Sequence, residues 1–445
     1  MRWLALLAWV ALSGCGVPAE GGRDGGVPES LSSTDGGGER TPDGPLDTVV
    51  EVPLAGPYGT RTLTVHAASN WVNTGLFLRA GEQAEISATG SWGVEGLAVG
   101  PAGLPARGQQ RGCARGSLVA RSGLRFEGAV TCVGEGTTYV APRDGAVYLG
   151  MIDSTDLGEA YGDRLVLSGA LEVTVTSAGD TVPSVRREDV ERFRFEQVAS
   201  GEVELFGRHV IVSLPAVEAL ADVGTARASL ETLDALYGQH AALRGMAPFG
   251  GQRVRFYPDD TLASVGYMLA GNPIRCVPEL MSGQPVQRIL RASVATTDVW
   301  GFAHELGHVF SFANGAWVFQ YVNLESWPNV FTLHALQGLG RTEHQPNVST
   351  YCAGRDAYLA AGSYGADFRG DPFLQLCFLM EFTQQHGWGF WERFWAGMNA
   401  QTNADVGFDG NDVDRSVWSY VRDRLGLAAG ADVTPVFQQW RVPVR

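Results

Sequence analysis

The chain has 445 residues, enough for two or three domains with substantial hydrophobic cores. Hydrophobic residues make up 45% and charged residues 18% of the sequence, which excludes a chain that is disordered throughout. The 48 acidic residues outnumber the 33 basic ones and give a net charge of −15, so we expect no nucleic-acid partner bound through a broad basic surface.

The first residues predict export and lipid attachment. Arg2 precedes an apolar run, residues 4–12, that is too short to span a bilayer and is typical of a signal peptide. The run ends in Leu12-Ser13-Gly14-Cys15, which resembles the bacterial lipobox, in which the cysteine is lipidated. We therefore expect residues 1–15 to be a lipoprotein signal, lipidated at Cys15. The mature protein would be an exported bacterial lipoprotein, anchored at the cell surface or outer membrane. An ordinary signal peptide with a chance cysteine is the alternative.

The next two segments differ sharply in composition. Residues 16–47 are rich in Gly, Pro, Ser and acidic residues, and they contain too few apolar groups to offset the entropy of ordering, so they predict a flexible tether. Residues 48–178 contain alternating, β-branched stretches such as TRTLTVHA and GALEVTVTS, separated by Gly-rich turns. This second segment predicts an all-β domain of the sandwich type.

The β segment also resembles a known family. Its stretches NTGLFLRAGE, GSLVAR and APRDGAVYLGMID are similar to the galactose-binding bacterial lectins and related jelly-roll modules. In that family an acidic residue in the turn after the YLG strand helps hold a calcium ion that bridges to sugar hydroxyls, and Asp153 matches this position. The resemblance implies a carbohydrate ligand and Ca²⁺ at this domain. A spacer domain without a ligand is the alternative.

Cysteine usage agrees with an exported protein. Apart from Cys15 there are five cysteines, and none has the Cys-x-x-Cys spacing of a zinc knuckle. Cys113 and Cys132 lie in one β-rich segment and are the favoured disulfide. A second bond between Cys352 and Cys377 would leave Cys276 free.

Residues 188–445 follow a polar, proline-containing linker and predict an α+β domain. A strand-like stretch, VELFGRHVIVSLP, comes first, and Leu230, Leu233 and Tyr237 then recur at helical spacing. Further helical runs are FLQLCFLMEFTQQHG, FWERFWAGM and SVWSYVRDRLG, so helices dominate the second half of this domain.

The sequence His304-Glu305-Leu-Gly-His308 carries the strongest chemical signal. On a helix, residues four apart lie on the same face, so both imidazoles can reach one metal ion. Zinc prefers imidazole and carboxylate donors, and Glu305 stands beside the first histidine, where a carboxylate can accept a proton from water. Glu325, after sixteen intervening residues, is the favoured third ligand, with His334 as the alternative.

These residues resemble the gluzincin metallopeptidases, and in particular the enhancin-like branch that includes mucin-degrading peptidases. Similar features are the stretch 266–274 (GYMLAGNPI), Trp300-Gly301 before the histidine motif, and an asparagine, Asn329, four residues after Glu325. The downstream stretch FTQQHGWGFWERFW and the closing DVTPVFQQWRVPV also fit this branch. The resemblance covers residues 188–445.

The resemblance implies a zinc metallopeptidase that cleaves extracellular, O-glycosylated, mucin-like proteins. Zinc would be held by His304, His308 and Glu325, with Glu305 as general base and later proton donor. Asn329 would support Glu325 or its helix. A carbohydrate-binding surface adhesin with an inactive metalloprotease fold is the alternative. Three further residues are candidates for contacting a sugar beside the scissile bond, although each is also typical of core or turn: Tyr267, Asn272 and Trp300.

Overall fold

A computed structural model describes residues 56–94, 96–126, 128–152, 167–221, 223–262, 268–277, 299–312, 316–341 and 351–445. The predicted lipidation site Cys15, the signal and tether segments, the calcium candidate Asp153 and Tyr267 all lie outside these residues. In the described ranges, a β-rich region is followed by an α+β region, which confirms the expected fold class at this level.

The β-rich region contains two five-stranded sheets and a small ribbon. Its strands are β1 (Gly59–His66), β2 (Val72–Leu78), β3 (Gln83–Val94), β4 (Leu97–Val99), β5 (Leu104–Gln110), β6 (Cys113–Arg115), β7 (Leu118–Ser122), β8 (Thr131–Cys132), β9 (Gly136–Val140), β10 (Gly145–Met151), β11 (Leu167–Ser177) and β12 (Asp180–Thr181). The first sheet has the order β1-β11-β3-β4, with β9 also paired to β3. The second has the order β12-β2-β10-β7-β8, and β5 pairs with β6.

The two sheets have different burial patterns. In β1, Leu63 and Val65 are buried whereas Thr62 and Thr64 are exposed, which is the alternation of a sheet with one solvated face. In the second sheet, β2 and β10 are buried at every position. Their inward side chains pack against the first sheet, and outward ones such as Phe77 and Tyr148 join a second cluster that includes Tyr257 of the α+β region.

The α+β region is built on a six-stranded mixed sheet. Its strands are β13 (Ser184–Arg186), β14 (Glu202–Phe206), β15 (Val210–Pro215), β16 (Val254–Pro258), β17 (Met268–Leu269) and β18 (Ile274–Cys276). The order is β13-β14-β15-β16-β18-β17. β14–β15 and β17–β18 are antiparallel pairs, and the other neighbours are parallel.

Helices make up most of the remaining α+β region. They are α1 (Ala216–Ala221), α2 (Val223–Arg244), α3 (Val299–Ser311), α4 (Ser326–Gly338), α5 (Arg355–Ala361), α6 (Pro372–His386), α7 (Gly389–Met398), α8 (Val413–Ala429) and α9 (Thr434–Gln439). Asp371 caps α6 by accepting from the backbone N–H groups of Phe373 and Leu374, both at 2.9 Å. Within the described ranges, no helix combines the length and apolar character that crossing a membrane requires.

Two disulfide bonds lie within the described residues. Cys113 and Cys132 join β6 to β8 with an S–S distance of 2.01 Å, and Cys352 is bonded to Cys377 of α6. Cys276 is free and buried. Each bond thus ties together two segments that are close in sequence.

The segment expected to be a linker, residues 180–187, is itself paired on both sides. β12 extends the second sheet of the sandwich, and β13 starts the mixed sheet by pairing with β14 in parallel. These residues therefore form part of both sheets, because their backbone groups find partners in each.

A buried polar network also joins the two regions. Glu204 of β14 accepts hydrogen bonds from the Tyr148 hydroxyl (3.0 Å) and the Ser213 hydroxyl (2.9 Å), and it forms an ion pair with Arg255. Arg275 donates from Nε to the carbonyl oxygen of Leu124 in the sandwich, 2.8 Å away. Because a buried charge is costly without its partners, separating the two regions would carry a large penalty.

Candidate active site

Helix α3 carries the two histidines and the glutamate between them. Phe302 packs against Phe256 of the mixed sheet with ring centroids 5.6 Å apart, which places α3 against that sheet. One helical turn separates His304 from His308, and their rings lie 4.8 Å apart at 90° to one another. Both imidazoles therefore project from the same face of α3.

Glu325 meets the two histidines from the next helix. It is the residue immediately before α4, and Pro328 occupies the first turn of that helix. Its Oε2 lies 3.1 Å from His304 Nε2 and 3.4 Å from His308 Nε2. Among the described residues, these three side chains form the one group of His, Cys, Asp or Glu residues close enough to hold a metal ion, with ligand atoms within 4.8 Å of one another.

The donor types fit zinc, and so do the two donor separations that involve Glu325. Two donors that each lie about 2.05 Å from a tetrahedral ion are separated by about 3.3 Å. The distances from the Glu325 carboxylate to the two imidazoles, 3.1 and 3.4 Å, bracket this value. Two imidazole nitrogens and one carboxylate oxygen also leave a fourth position open, as catalytic zinc sites do.

Asn329 fixes the orientation of the first histidine. Its Oδ1 accepts a hydrogen bond from His304 Nδ1 at 2.8 Å, and its Nδ2 donates to the backbone carbonyl of Glu325 at 2.8 Å. A proton on Nδ1 leaves the lone pair of His304 Nε2 facing the ligand site. The family resemblance implies support for Glu325 or its helix, and the structure adds the bond to His304.

Glu305 lies beside the ligand site in a buried environment. Its side chain is 8% exposed, and its carboxylate accepts a hydrogen bond from the backbone N–H of Ala270, which follows β17. Burial raises the pKa of Glu305 above its ordinary value, although His304 and His308 oppose this rise. A carboxylate whose pKa is raised is better suited to exchanging protons with water and with an amine.

The pKa of Glu325 shifts in the opposite direction, downward. Burial on its own would raise the pKa of Glu325, but the neighbouring His308 and His304, in their protonated forms, outweigh that effect and hold the pKa well below its usual range. Glu325 is therefore ionised at neutral pH, as a metal ligand must be.

Helix α2 supports α3 from behind through two residues that sequence reasoning missed. Nε2 of His240 donates to the carbonyl oxygen of Ala303 at 2.7 Å, and burial lowers the pKa of His240 to about 3, so the ring is neutral. Arg244 donates from Nε to the carbonyl oxygen of Phe310 at 3.1 Å, near the end of α3. The signal that could have found them is a His and an Arg on the buried face of a predicted amphipathic helix.

Other candidates from the sequence lie elsewhere. His334 of α4 packs against Trp388 with ring centroids 5.0 Å apart and is not part of the ligand group. Asn272 is 4% exposed, and both ends of its amide are bonded to backbone groups, so the suggestion that it contacts a sugar is wrong. Trp300 is half-buried at the start of α3.

A line of aromatic rings leads outward from the metal-ligand group. Phe312 lies 6.5 Å from His308, Trp317 lies 6.4 Å from Phe312, and Tyr321 lies 5.4 Å from Trp317, measured between ring centroids. Phe408 continues the line at 5.9 Å from Tyr321. Tyr321 and Phe408 are 48% and 44% exposed. We refer to Phe312, Trp317, Tyr321 and Phe408 as the aromatic track.

Solved structures share the overall fold of this chain. A functionally unknown conserved protein from Bacillus anthracis str. Ames aligns with a TM-score of 0.58 and 13% identity, over 87% of this chain and 76% of that one. The ZmpB metallopeptidase from Clostridium perfringens aligns with a TM-score of 0.54 and 15% identity, over 89% and 78% of the two chains. The M60 catalytic domain of ZmpC from the same organism, in complex with the sialyl T antigen, aligns with a TM-score of 0.53 and 12% identity, over 89% and 77%.

These alignments cover more of the chain than the α+β region alone, so the shared fold includes part of the sandwich. A comparison with curated proteins found no match. The family model described as Peptidase M60, enhancin and enhancin-like, matches residues 194–441, which contain all the residues of the ligand group. The chain therefore belongs to the M60 peptidases, the enhancin and enhancin-like family.

Proposed function

We propose that this protein is a zinc-dependent endopeptidase that hydrolyses O-glycosylated, mucin-like proteins outside the cell. The observation that carries the proposal is the convergence of His304, His308 and Glu325 on one point, with the buried carboxylate of Glu305 beside them. This arrangement provides three ligands and a separate base, which are the groups that metal-assisted peptide hydrolysis requires.

The residues of the site divide the chemistry among them. His304, His308 and Glu325 would hold zinc, which when bound would supply the Lewis acidity that activates water and polarises the scissile carbonyl. Glu305 accepts the proton of the attacking water and then donates it to the nitrogen of the leaving amine. Asn329 keeps His304 in the tautomer that directs Nε2 to the ligand site, because it accepts from Nδ1.

Two observations support a glycosylated substrate. One of the similar structures is an M60 catalytic domain in complex with a glycan, the sialyl T antigen. In this chain, the aromatic track ends in two half-exposed rings, and exposed aromatic faces are suited to packing against sugar rings as well as apolar side chains.

Digestion of a mucin tests the proposal directly. The purified protein is assayed for zinc content and then incubated with a mucin before and after enzymatic removal of its O-glycans. We expect one zinc per chain, cleavage of the glycosylated form only, and loss of cleavage with a zinc chelator. Equal cleavage of both forms would refute the glycan requirement. Sugar binding without any cleavage would instead identify a carbohydrate-binding adhesin with an inactive protease fold.

We also propose that the protein is held at the cell surface through lipid on Cys15, as the lipobox-like sequence before it suggests. Replacing Cys15 by serine should abolish incorporation of a fatty-acid probe. Continued labelling of that variant would contradict the anchor.

For the sandwich, we propose a jelly-roll module that binds a galactose-type sugar, on the basis of the sequence resemblance around residues 141–153. Glycan-array binding with and without Ca²⁺, compared with Asp153→Ala, tests this proposal. Binding that is unaffected by calcium and by the substitution would remove Asp153 from it.

A further inference from the structure

The loop between β17 and β18 contacts the proposed general base. Ala270, the first residue after β17, is 2% exposed, and its backbone N–H donates to the carboxylate of Glu305. Because a backbone amide moves only with its chain, the position of the Glu305 carboxylate depends on the position of this loop. The loop has few residues of its own, since β18 begins at Ile274.

Asn272 holds this loop to the neighbouring strand. Its Oδ1 accepts from the backbone N–H of Arg255 at 2.9 Å, and its Nδ2 donates to the backbone carbonyl of Arg253 at 3.0 Å. One side chain thus bonds to a donor within β16 and to an acceptor in the residue immediately before it. Since Asn272 is 4% exposed, these bonds have little competition from water.

The strand to which Asn272 is bonded is itself firmly held. β16 pairs in parallel with β15 on one side and with β18 on the other. The side chain of Arg255 forms the buried ion pair with Glu204 and donates to Ser213 at 3.0 Å. A loop bonded to this strand is therefore fixed relative to the sheet on which α3 packs.

We infer that Asn272 is a positioning residue for hydrolysis: it fixes the 270–273 loop on β16 so that the Ala270 N–H orients the Glu305 carboxylate for proton transfer. The inference rests on the proposed hydrolytic function of Glu305. Asn272 does not touch the ligand group, so its loss should impair turnover more than substrate binding or zinc occupancy. A displacement of about 1 Å at a reacting group can reduce turnover by about a hundredfold.

Steady-state kinetics of the full-length zinc protein test the inference. Asn272→Leu retains the approximate volume and removes both hydrogen bonds. We expect kcat to fall by about 10- to 100-fold, KM to stay within about threefold, and zinc to remain at one per chain. Asn272→Asp retains an acceptor for the Arg255 N–H and should give an intermediate kcat. It also provides a measurement if the leucine variant fails to fold.

Two controls separate positioning from general destabilisation. Asn73→Leu also removes a buried asparagine that accepts from a backbone amide, that of Gly75 at 2.8 Å, but it lies in β2 of the sandwich. Its kcat should be unchanged. In a Glu305→Gln background, Asn272→Leu should cause no additional loss, because Asn272 acts through Glu305.

Crystal structures of the wild type and the variant provide a readout that does not depend on activity. We expect the distance from Ala270 N to the Glu305 carboxylate to exceed hydrogen-bond range in Asn272→Leu. An unchanged distance, an unchanged kcat, or a rise in KM alone would overturn the inference. If the wild type cleaves no substrate, the proposed function fails, and the structural comparison still decides whether Asn272 positions Glu305.

Discussion

Gly307 of α3 faces the main chain of Pro328 in α4 at very short range. A β-carbon at Gly307 would lie 2.6 Å from the carbonyl oxygen of Pro328 and 2.8 Å from its Cα. Real β-carbons do not approach backbone atoms this closely in a packed interior. The two helices are thus in backbone contact, and that contact sets how near Glu325 comes to the two histidines.

The first prediction concerns this contact. Gly307→Ala should push α4 away from α3, and overpacking of this kind costs about 1–3 kcal/mol. Because Glu325 moves with α4, we expect zinc affinity to fall about tenfold or more, as measured by competition with a chromogenic chelator. Gly397→Ala in α7 is the matched control, since a β-carbon added there would have no atom within 4 Å and the change should be neutral or slightly stabilising. Equal zinc affinity in the wild type and in Gly307→Ala would contradict the prediction.

The second prediction separates the roles of the two glutamates. Glu305→Gln should retain zinc, since Glu305 is not in the ligand group, and should lose about 10²- to 10⁴-fold in kcat. Glu325→Ala should lose zinc affinity together with activity, and its melting temperature should no longer rise when zinc is added. Metal analysis and calorimetry check both. Full zinc occupancy in Glu325→Ala with loss of zinc in Glu305→Gln would reverse the assignment.

The third prediction is a pH dependence of stability at the contact between the two regions. The Glu202 carboxyl accepts from the backbone N–H of Ala146 at 3.2 Å, and burial raises the pKa of Glu202 to about 7 from 4.5. The folded state therefore holds this proton up to a higher pH than the unfolded state. The contribution of protonated Glu202 to stability is complete below pH 4.5 and is lost as the pH rises through about 7.

Glu202→Gln cannot ionise and keeps an amide oxygen that can accept from Ala146. The free energy of unfolding of the variant, compared with that of the wild type, should increase by about 2–3 kcal/mol as the pH rises from about 5 to about 8. Urea denaturation at the two pH values measures this difference, and effects common to both proteins cancel. The same pH dependence in both proteins would show that Glu202 does not titrate in this way.

The fourth prediction concerns the aromatic track. Tyr321→Ser and Phe408→Ser each remove a half-exposed ring, and a lost aromatic contact of about 1 kcal/mol corresponds to about a fivefold rise in KM. We expect this rise on a glycosylated substrate with kcat nearly unchanged, because neither ring belongs to the ligand group and Glu305 is unchanged. Leu427→Ser, at an apolar residue that is 69% exposed on α8, serves as the control. An unchanged KM in both track variants would exclude the track from substrate binding.

The local part of the site could be predicted from the sequence, and the part that depends on tertiary contacts could not. His304, Glu305 and His308 lie within little more than one helical turn, so their spacing alone places them together. Glu325 is favoured by its distance along the chain and its acidic side chain. The bond from Asn329 to His304 depends on how closely α3 and α4 pack, and no short-range pattern encodes that distance.

The same limit applies to longer-range features. The hydrogen bond from Ala270 to Glu305 joins residues that meet only after the mixed sheet has formed. Alternation predicts the strands of the sandwich, but the burial of β2 and β10 on both faces reflects docking against the α+β region, which includes Tyr257. The expected linker forms two paired strands because its backbone groups find partners in both sheets.

The network around Glu204 has a mechanical consequence. β12 of the sandwich is followed almost directly by β13 of the mixed sheet. Tyr148 of the sandwich and Arg255 of the mixed sheet both contact the buried carboxylate of Glu204. These contacts couple the orientation of the sandwich to that of the mixed sheet on which α3 packs. If the chain is held by the segment before β1, the direction in which the ligand group faces is set by the orientation of the sandwich.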